Sequence, residues 1–245
     1  MSLWFSQIPS WGAFVLIVAI ANAVAIGVMF LVRHWSRGLG VTSGSPVVNS
    51  WATSAGALTA LLFAFTIVTV WNSSTRADSN MEREATAIRS VSRDIARAQL
   101  PLLSAYVSQT LAEWPQLCGG RPSPGAEASL IRLERFAQPR KTAYADDLYR
   151  QLAAMEDMRS RRWQFAASSI PDEIWVALVV LSCSLLMVLA MAMPDRGEIH
   201  LLLMIAVATA LGTLFWVASL LEYPFCGSTG ITPGDILTIA HAHLM

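Results

Sequence analysis

The chain has 245 residues, 54% of them hydrophobic and only 14% charged, with a formal net charge of +0. An average soluble protein carries about 25% charged residues, so the deficit points to membrane segments. The balanced charge gives no ground for a nucleic-acid or polyanionic partner. All but one of the 17 basic residues are arginine, the exception being Lys141, a bias that suits charges held near lipid or in fixed pairs.

The first apolar run, Gly12–Val32, is followed in chain order by Trp51–Trp71, Ile174–Met193 and Leu201–Leu221. Each has about 20 residues without a charge, enough to cross roughly 30 Å of hydrocarbon at 1.5 Å per residue. Met1–Trp11 lacks a basic residue and the first run exceeds a signal-peptide core, so it reads as a retained span. Within it, Asn22 is the strongest polar group, and an amide in lipid is expected to face another helix as packing glue. Arg33–Ser50, rich in Gly and Ser with Pro46, links spans one and two. Pro194–His200 leaves room only for a tight turn between spans three and four.

Between the two pairs lies a polar insert that reads as helical. Met81, Ala85, Ile88, Val91, Ile95 and Ala98 step by three or four residues, one helical stripe. From Ser50 to Leu100 there is no proline and only one glycine, Gly56, so span two is expected to continue into water as a single helix. Its weak point is Asn72–Thr75, a cluster of poor helix formers. Pro101 allows a restart, and Leu103, Tyr106, Thr110 and Trp114 continue the pattern. "CGGRPSPG", Cys118–Gly125, is a breaker. A short helix is expected over Ala126–Ala137, and another marked by Tyr144, Leu148, Leu152 and Met155 towards Trp163. Pro171 suits the first position of the third span, with Asp172 and Glu173 favourable in its first turn.

The expected fold class is therefore an all-α membrane protein with four transmembrane helices in two hairpins. Residues 1–71 form the first hairpin, 72–170 a helical extramembrane stalk, 171–222 the second hairpin and 223–245 a C-terminal tail. Four spans put the stalk and both termini on one side. Arg76, Arg83, Arg89, Arg159, Arg161 and Arg162 lie on that side near span ends, against Arg33, Arg37 and Arg196 on the other, so the positive-inside bias favours a cytoplasmic stalk.

No nucleotide, zinc-protease or nucleophile-elbow motif is present, and no catalytic constellation can be assembled. "HAH", His241 to His243, reads as a solvated tail rather than a metal site, and "GSTGITPGD", Gly227–Asp235, as a turn before a last short helix. Cys118 and Cys226 could pair only on an oxidising side of the membrane. With Cys183 in a span, the three read as unrelated thiols. No metal, cofactor or catalytic residue is expected.

Phe65, Thr69, Asn72 and Arg76 are spaced by four, three and four residues and share one face of span two. On a single helix this is an ordinary gradient from lipid to water, with Arg76 snorkelling at the interface. Repeated around a symmetry axis, it would line a pore with an apolar neck above rings of amide and positive charge.

Several short motifs, in order along nearly the whole chain, carry a family resemblance. The first joins Phe65, Arg76, Glu84-Ala85-Thr86-Ala87-Ile88 and Arg93. The second is Arg159, Arg162, Pro171 and Trp175. The third is Pro224, Phe225 and Gly227. In these the chain resembles the bacterial bestrophin-like family, a domain of unknown function distantly related to bestrophins. Bestrophins are pentameric anion channels with cytosolic termini, and Trp71-Asn72 is similar to the end of their neck helix, which would put Phe65 near the neck. The acidic calcium-clasp run of animal bestrophins is missing, so calcium gating does not carry over. The resemblance implies a homo-oligomeric channel of the bacterial inner membrane, its partners being the lipid bilayer, copies of itself and small anions. The alternative is a non-conducting scaffold or sensor whose helical insert docks a cytosolic partner.

Overall fold

The computed structural model describes residues 10–39, 46–119, 124–137, 143–192, 197–227 and 230–243. The described residues are helical apart from short turns: α1 Ser10–Leu39, α2 Pro46–Asp94, α3 Leu100–Glu113, α4 Pro124–Ala137, α5 Ala143–Ala167, α6 Asp172–Ala192, α7 Gly197–Glu222 and α8 Gly234–His243. Four helical stretches are long and apolar enough to cross a membrane. Most of the Arg33–Ser50 linker's glycines and serines, the Pro194–Arg196 turn and the Gly120–Ser123 part of the breaker lie outside the described residues, as do the side chains of His241 and His243.

The chain divides into two compact units. One holds the spans, Trp4–Trp71 with Ser169–Glu222. Its core is Ala25 and Met29 of α1, Phe63 of α2, Leu178, Leu186 and Ala190 of α6, and Met204, Ala208 and Leu211 of α7. The most extensive helix packing in this unit is between α1 and α7, with α6 next against α1, so α1 packs mainly across the second helix pair rather than on α2. Small residues permit this. A Cβ added at Gly212 would lie 3.1 Å from Val18 Cα and 3.2 Å from Ala21 Cβ, the close approach that small residues four apart allow between membrane helices. Asn22 behaves as the sequence suggests: its Nδ2 donates to Thr209 Oγ1 of α7 at 3.1 Å and to Val18 O at 2.9 Å. Phe215 meets Phe63 edge-on at 5.0 Å and stacks with Trp175 at 6.1 Å. Trp11 and Trp35 bracket the apolar run of α1, Trp51 and Trp71 that of α2, and all four are exposed, as expected of rings seated at the membrane–water interfaces.

The second unit is the stalk, Asn72–Ser168 together with the chain from Tyr223 onward. The expected stripe of Met81, Ala85, Ile88, Val91 and Ile95 is buried there with Leu103, Tyr106, Leu148, Leu152 and Met155. Ala98 departs from it. The helix ends at Asp94 and a 3₁₀ turn over Arg97–Gln99 leaves Ala98 exposed. The tail contributes Phe225, Ile236 and Ile239 to the same core. Between Phe225 and α8 the chain turns sharply. Gly227 has φ +78°, and a Cβ at Gly230 would come within 2.9 Å of Cys226 N and of Phe225 C, so neither position tolerates a side chain easily.

Helix α2 runs unbroken for 49 residues, about 74 Å at 1.5 Å per residue. Asn72–Thr75 do not interrupt it. Buried residues in one helical phase lie on either side of that cluster, Ala55, Thr59, Phe63, Thr66 and Val70 before it and Ala77 and Met81 after it, and packing on both sides outweighs weak local propensity. The hydroxyls of Thr59, Thr66 and Thr69 each donate to the carbonyl four residues back, at 2.7–2.8 Å. At the third span, Pro171 falls one position before the helix: its carbonyl accepts from Ile174 N at 3.0 Å, and Asp172 and Glu173 fill the first turn.

The cysteines correct the sequence reading. Cys118 and Cys226 are joined by a disulfide within the stalk unit, and only Cys183 is free. They are not unrelated thiols, because the turn after α3 and the turn after α7 meet at the edge of one core.

Candidate functional site

The buried stripe of α2 leaves its opposite face exposed among the described residues. Phe65 is 63% exposed, and Thr69, Asn72 and Arg76 are exposed too. The four share that face by helical spacing. They are not equivalent: Thr69 Oγ1 donates to Phe65 O at 2.8 Å, whereas Asn72 and Arg76 bring an exposed amide and an exposed guanidinium. The exposed face continues through Arg83 and Thr86. There an open groove of about 420 Å³ is lined by Glu82, Arg83, Thr86, Ala87 and Ser90 of α2 with Gln151 and Ala154 of α5.

Behind α2, inside the stalk, lies a charge cluster that periodicity alone does not announce. Glu84 sits on the apolar side of α2, between Met81 and Ile88. Arg162 Nη1 donates to Glu84 Oε1 at 2.7 Å and Oε2 at 2.8 Å, and Nη2 donates to Glu113 Oε2 at 3.3 Å. Arg159 Nη2 donates to Glu113 Oε1 at 2.7 Å. The Tyr106 hydroxyl donates to Glu84 Oε1 at 3.2 Å, and the Arg162 guanidinium lies 5.6 Å over the Trp114 ring. Two carboxylates and two guanidiniums leave the cluster neutral, the condition under which buried ions are tolerated. Burial pushes the Glu84 carboxyl above its ordinary value, while Arg162 and Tyr106 pull it back. Burial, helped by the charge of Glu84, also pushes the Tyr106 phenol up, so it stays a donor. Arg159 and Arg162, read from sequence as charges on the topogenic side, thus also tie α5 to α2 and α3. A signal was there: Leu148, Leu152, Met155, Arg159 and Arg162 step by four, three, four and three, so both arginines continue an apolar face.

In the span unit, Glu222 ends α7 with its carboxylate buried. It accepts from Ile170 N at 3.1 Å and from the Trp175 indole at 3.2 Å. Among the described residues no group of three or more His, Cys, Asp or Glu is placed to hold a metal ion.

The family model for the Bestrophin-like domain matches residues 19–236. The fold is similar to crystal structures of a bacterial bestrophin homolog from Klebsiella pneumoniae. One, a point mutant, has a TM-score of 0.73 at 12% identity, covering 94% of this chain and 98% of that one. A second point mutant has a TM-score of 0.72 at 13% identity, with 94% and 97% covered. A third structure, phased on zinc, has a TM-score of 0.68 at 12% identity, with 94% and 96% covered. A search of curated proteins finds no match. With the family's domain covering most of its length, and with the fold of a bacterial bestrophin homolog, the chain belongs to the Bestrophin-like family.

Proposed function

We propose that the protein is a homo-oligomeric channel of the bacterial inner membrane that passes small anions, with the outer face of α2 turned to the symmetry axis. The single observation that carries this is the uncovered face of an unbroken α2, bearing Phe65, Thr69, Asn72 and Arg76 in the order apolar, hydroxyl, amide, cation. Repeated around an axis, Phe65 makes an apolar neck and Arg76 a ring of charge at its mouth. Membership of the Bestrophin-like family and the fold shared with bacterial bestrophin homologs support the reading; the pentamer is the stoichiometry that the bestrophin resemblance suggests. The stalk and both termini lie in the cytoplasm, by the excess of arginine on their side of the spans.

Reconstitution into liposomes tests this. The assembled protein should carry chloride flux above that of empty vesicles, and native mass determination in mild detergent should find an oligomer. A monomer at all concentrations, or an oligomer without flux, removes the channel. The latter leaves a scaffold whose stalk docks a cytosolic partner, a reading that the exposed Ile131 and Tyr149 on the stalk favour.

A further inference from the structure

Cys118 lies in the 3₁₀ turn Trp114–Gly119 after α3, and Cys226 lies in the turn after α7, 108 residues further on. Their sulfurs are bonded and their Cα atoms are 5.5 Å apart, well inside the span of about 4.4–6.8 Å that a bridge accepts. Both residues are half-buried, so an exchanging thiol can approach from solvent while the flanking Leu117 and Phe225 stay in the core. The backbone also seats the reduced pair: Cys118 Sγ lies 3.5 Å from Phe225 O, a contact that becomes an S–H···O hydrogen bond only when that sulfur carries a hydrogen. The site therefore accommodates a dithiol and a disulfide on one backbone.

The surroundings tie this pair to the stalk. Trp114, four residues before Cys118, donates its indole N–H to Ile231 O at 3.2 Å and meets Phe225 edge-on at 5.9 Å. The other side of the same residue's environment is the Arg162 guanidinium. Ile231 returns to the same turn, its N–H donating to Pro224 O at 2.8 Å. Bonding Cys226 to Cys118 thus fastens the C-terminal segment to the helix turn that packs on the buried ion cluster.

We propose that Cys118 and Cys226 form a reversible redox site, closed by low-molecular-weight disulfide oxidants and opened by cellular thiols; this rests on the cytoplasmic stalk of the preceding section. In the cytoplasm a disulfide is transient rather than permanent. A thiolate of one cysteine attacks a sulfur of the oxidant, forming a mixed disulfide and releasing one oxidant thiol. The second cysteine's thiolate then attacks the protein sulfur of that mixed disulfide, closing the Cys118–Cys226 bond and releasing the other. The protein gives up two electrons and two protons, and the oxidant disulfide becomes two thiols.

The test uses full-length protein carrying Cys183→Ser, so that only this pair reports. Cells are quenched in acid and their free thiols alkylated with a mass-adding maleimide. Two additions per chain are expected in unstressed cells, none after a pulse of 2-hydroxyethyl disulfide, and two again after recovery. Adding Cys118→Ser leaves no second thiol to close the bond, so after the pulse Cys226 should stop at the mixed disulfide and carry the mass of one 2-mercaptoethanol unit, which the closed pair lacks. In purified protein the reduced form should melt roughly 5–10 °C below the oxidised form, and the Cys118→Ser/Cys226→Ser variant should not respond to reductant. A pair bonded in unstressed cells, or one still fully reduced after the pulse, overturns the proposal. Labelling of the Cys226 thiol by an impermeant maleimide on intact cells overturns it through the orientation. Normal thiol cycling in a protein without chloride flux sustains it, since the count does not depend on conduction.

Discussion

Arg162 of α5 holds both carboxylate oxygens of Glu84 of α2, at 2.7 and 2.8 Å, across 78 residues of sequence and with neither side chain exposed. The pair fastens the long second helix to the rest of the stalk. Arg162→Met keeps the length of the side chain but leaves Glu84 buried without its guanidinium. Loss of one partner of a buried pair costs about 3–5 kcal/mol. Thermal unfolding of the detergent-solubilised protein should show a large fall, and Arg162→Lys should recover only part of it, since an ammonium cannot reach Glu84 and Glu113 together as the planar fork does. Equal stability of Arg162→Met and wild type would mean the pair is not what anchors α2.

The same glutamate sets a pH dependence. Burial raises the Glu84 carboxyl above its ordinary 4.5, so the folded protein binds that proton more tightly than the unfolded chain does. Its contribution is fully present below 4.5 and is lost as pH rises through the raised folded value. Glu84→Gln removes this titration. The stability of wild type should decline more steeply with rising pH in that window than that of Glu84→Gln, measured as Tm against pH; parallel curves would contradict it.

Gly212 and Gly27 make a matched pair for the membrane core. A Cβ at Gly212 meets the backbone of α1 at 3.1 Å, whereas nothing lies within 4 Å of one at Gly27. Gly212→Ala should destabilise by about 1–3 kcal/mol, and Gly212→Leu should prevent α1 and α7 from packing. Gly27→Ala should be neutral or stabilising by up to about 1 kcal/mol through helix propensity. Thermal unfolding of the three variants in one detergent decides it, and the reverse order would show that the α1–α7 contact is not close.

The sequence made α2 legible because its apolar stripe keeps one period on both sides of Asn72–Thr75, and packing periodicity survives a few poor helix formers. Asn22 was legible for a related reason: a lone amide in an apolar run has few places to go. The spans' mutual packing was not, since small residues such as Ala208 and Gly212 look alike to hydropathy whichever neighbour they face. The ion cluster was not legible, because a charged side chain on a helix outside the membrane ordinarily faces water. Glu84 amid Met81, Ala85 and Ile88, and Arg162 in step with Leu152 and Met155, are buried only because each finds the other. The disulfide was obscured in the same way, because Cys118 and Cys226 lie in polar turns whose meeting depends on where α8 docks. The outer-face residues Phe65, Thr69, Asn72 and Arg76 were readable as a set because helical spacing alone places them together.

Phe65 should act as the narrow part of the path. Phe65→Ala removes an exposed ring without touching the buried stripe, so the protein should fold and assemble normally while its chloride flux in liposomes rises. Unchanged flux with intact assembly would remove Phe65 from the lining.

The proposal that the Arg76 face of α2 lines an anion path stands or falls on ion preference. It is tested most directly by the chloride-over-cation reversal potential of wild type and Arg76→Glu in planar bilayers at low and high salt. The guanidinium stays charged at any physiological pH, and a wet mouth is screened over a Debye length of about 8 Å at physiological ionic strength. Wild type should show an anion preference that Arg76→Glu reduces strongly at low salt and weakly at high salt, with Arg76→Lys close to wild type. A reversal potential that is the same for wild type and Arg76→Glu at low salt, in correctly assembled protein, would contradict it.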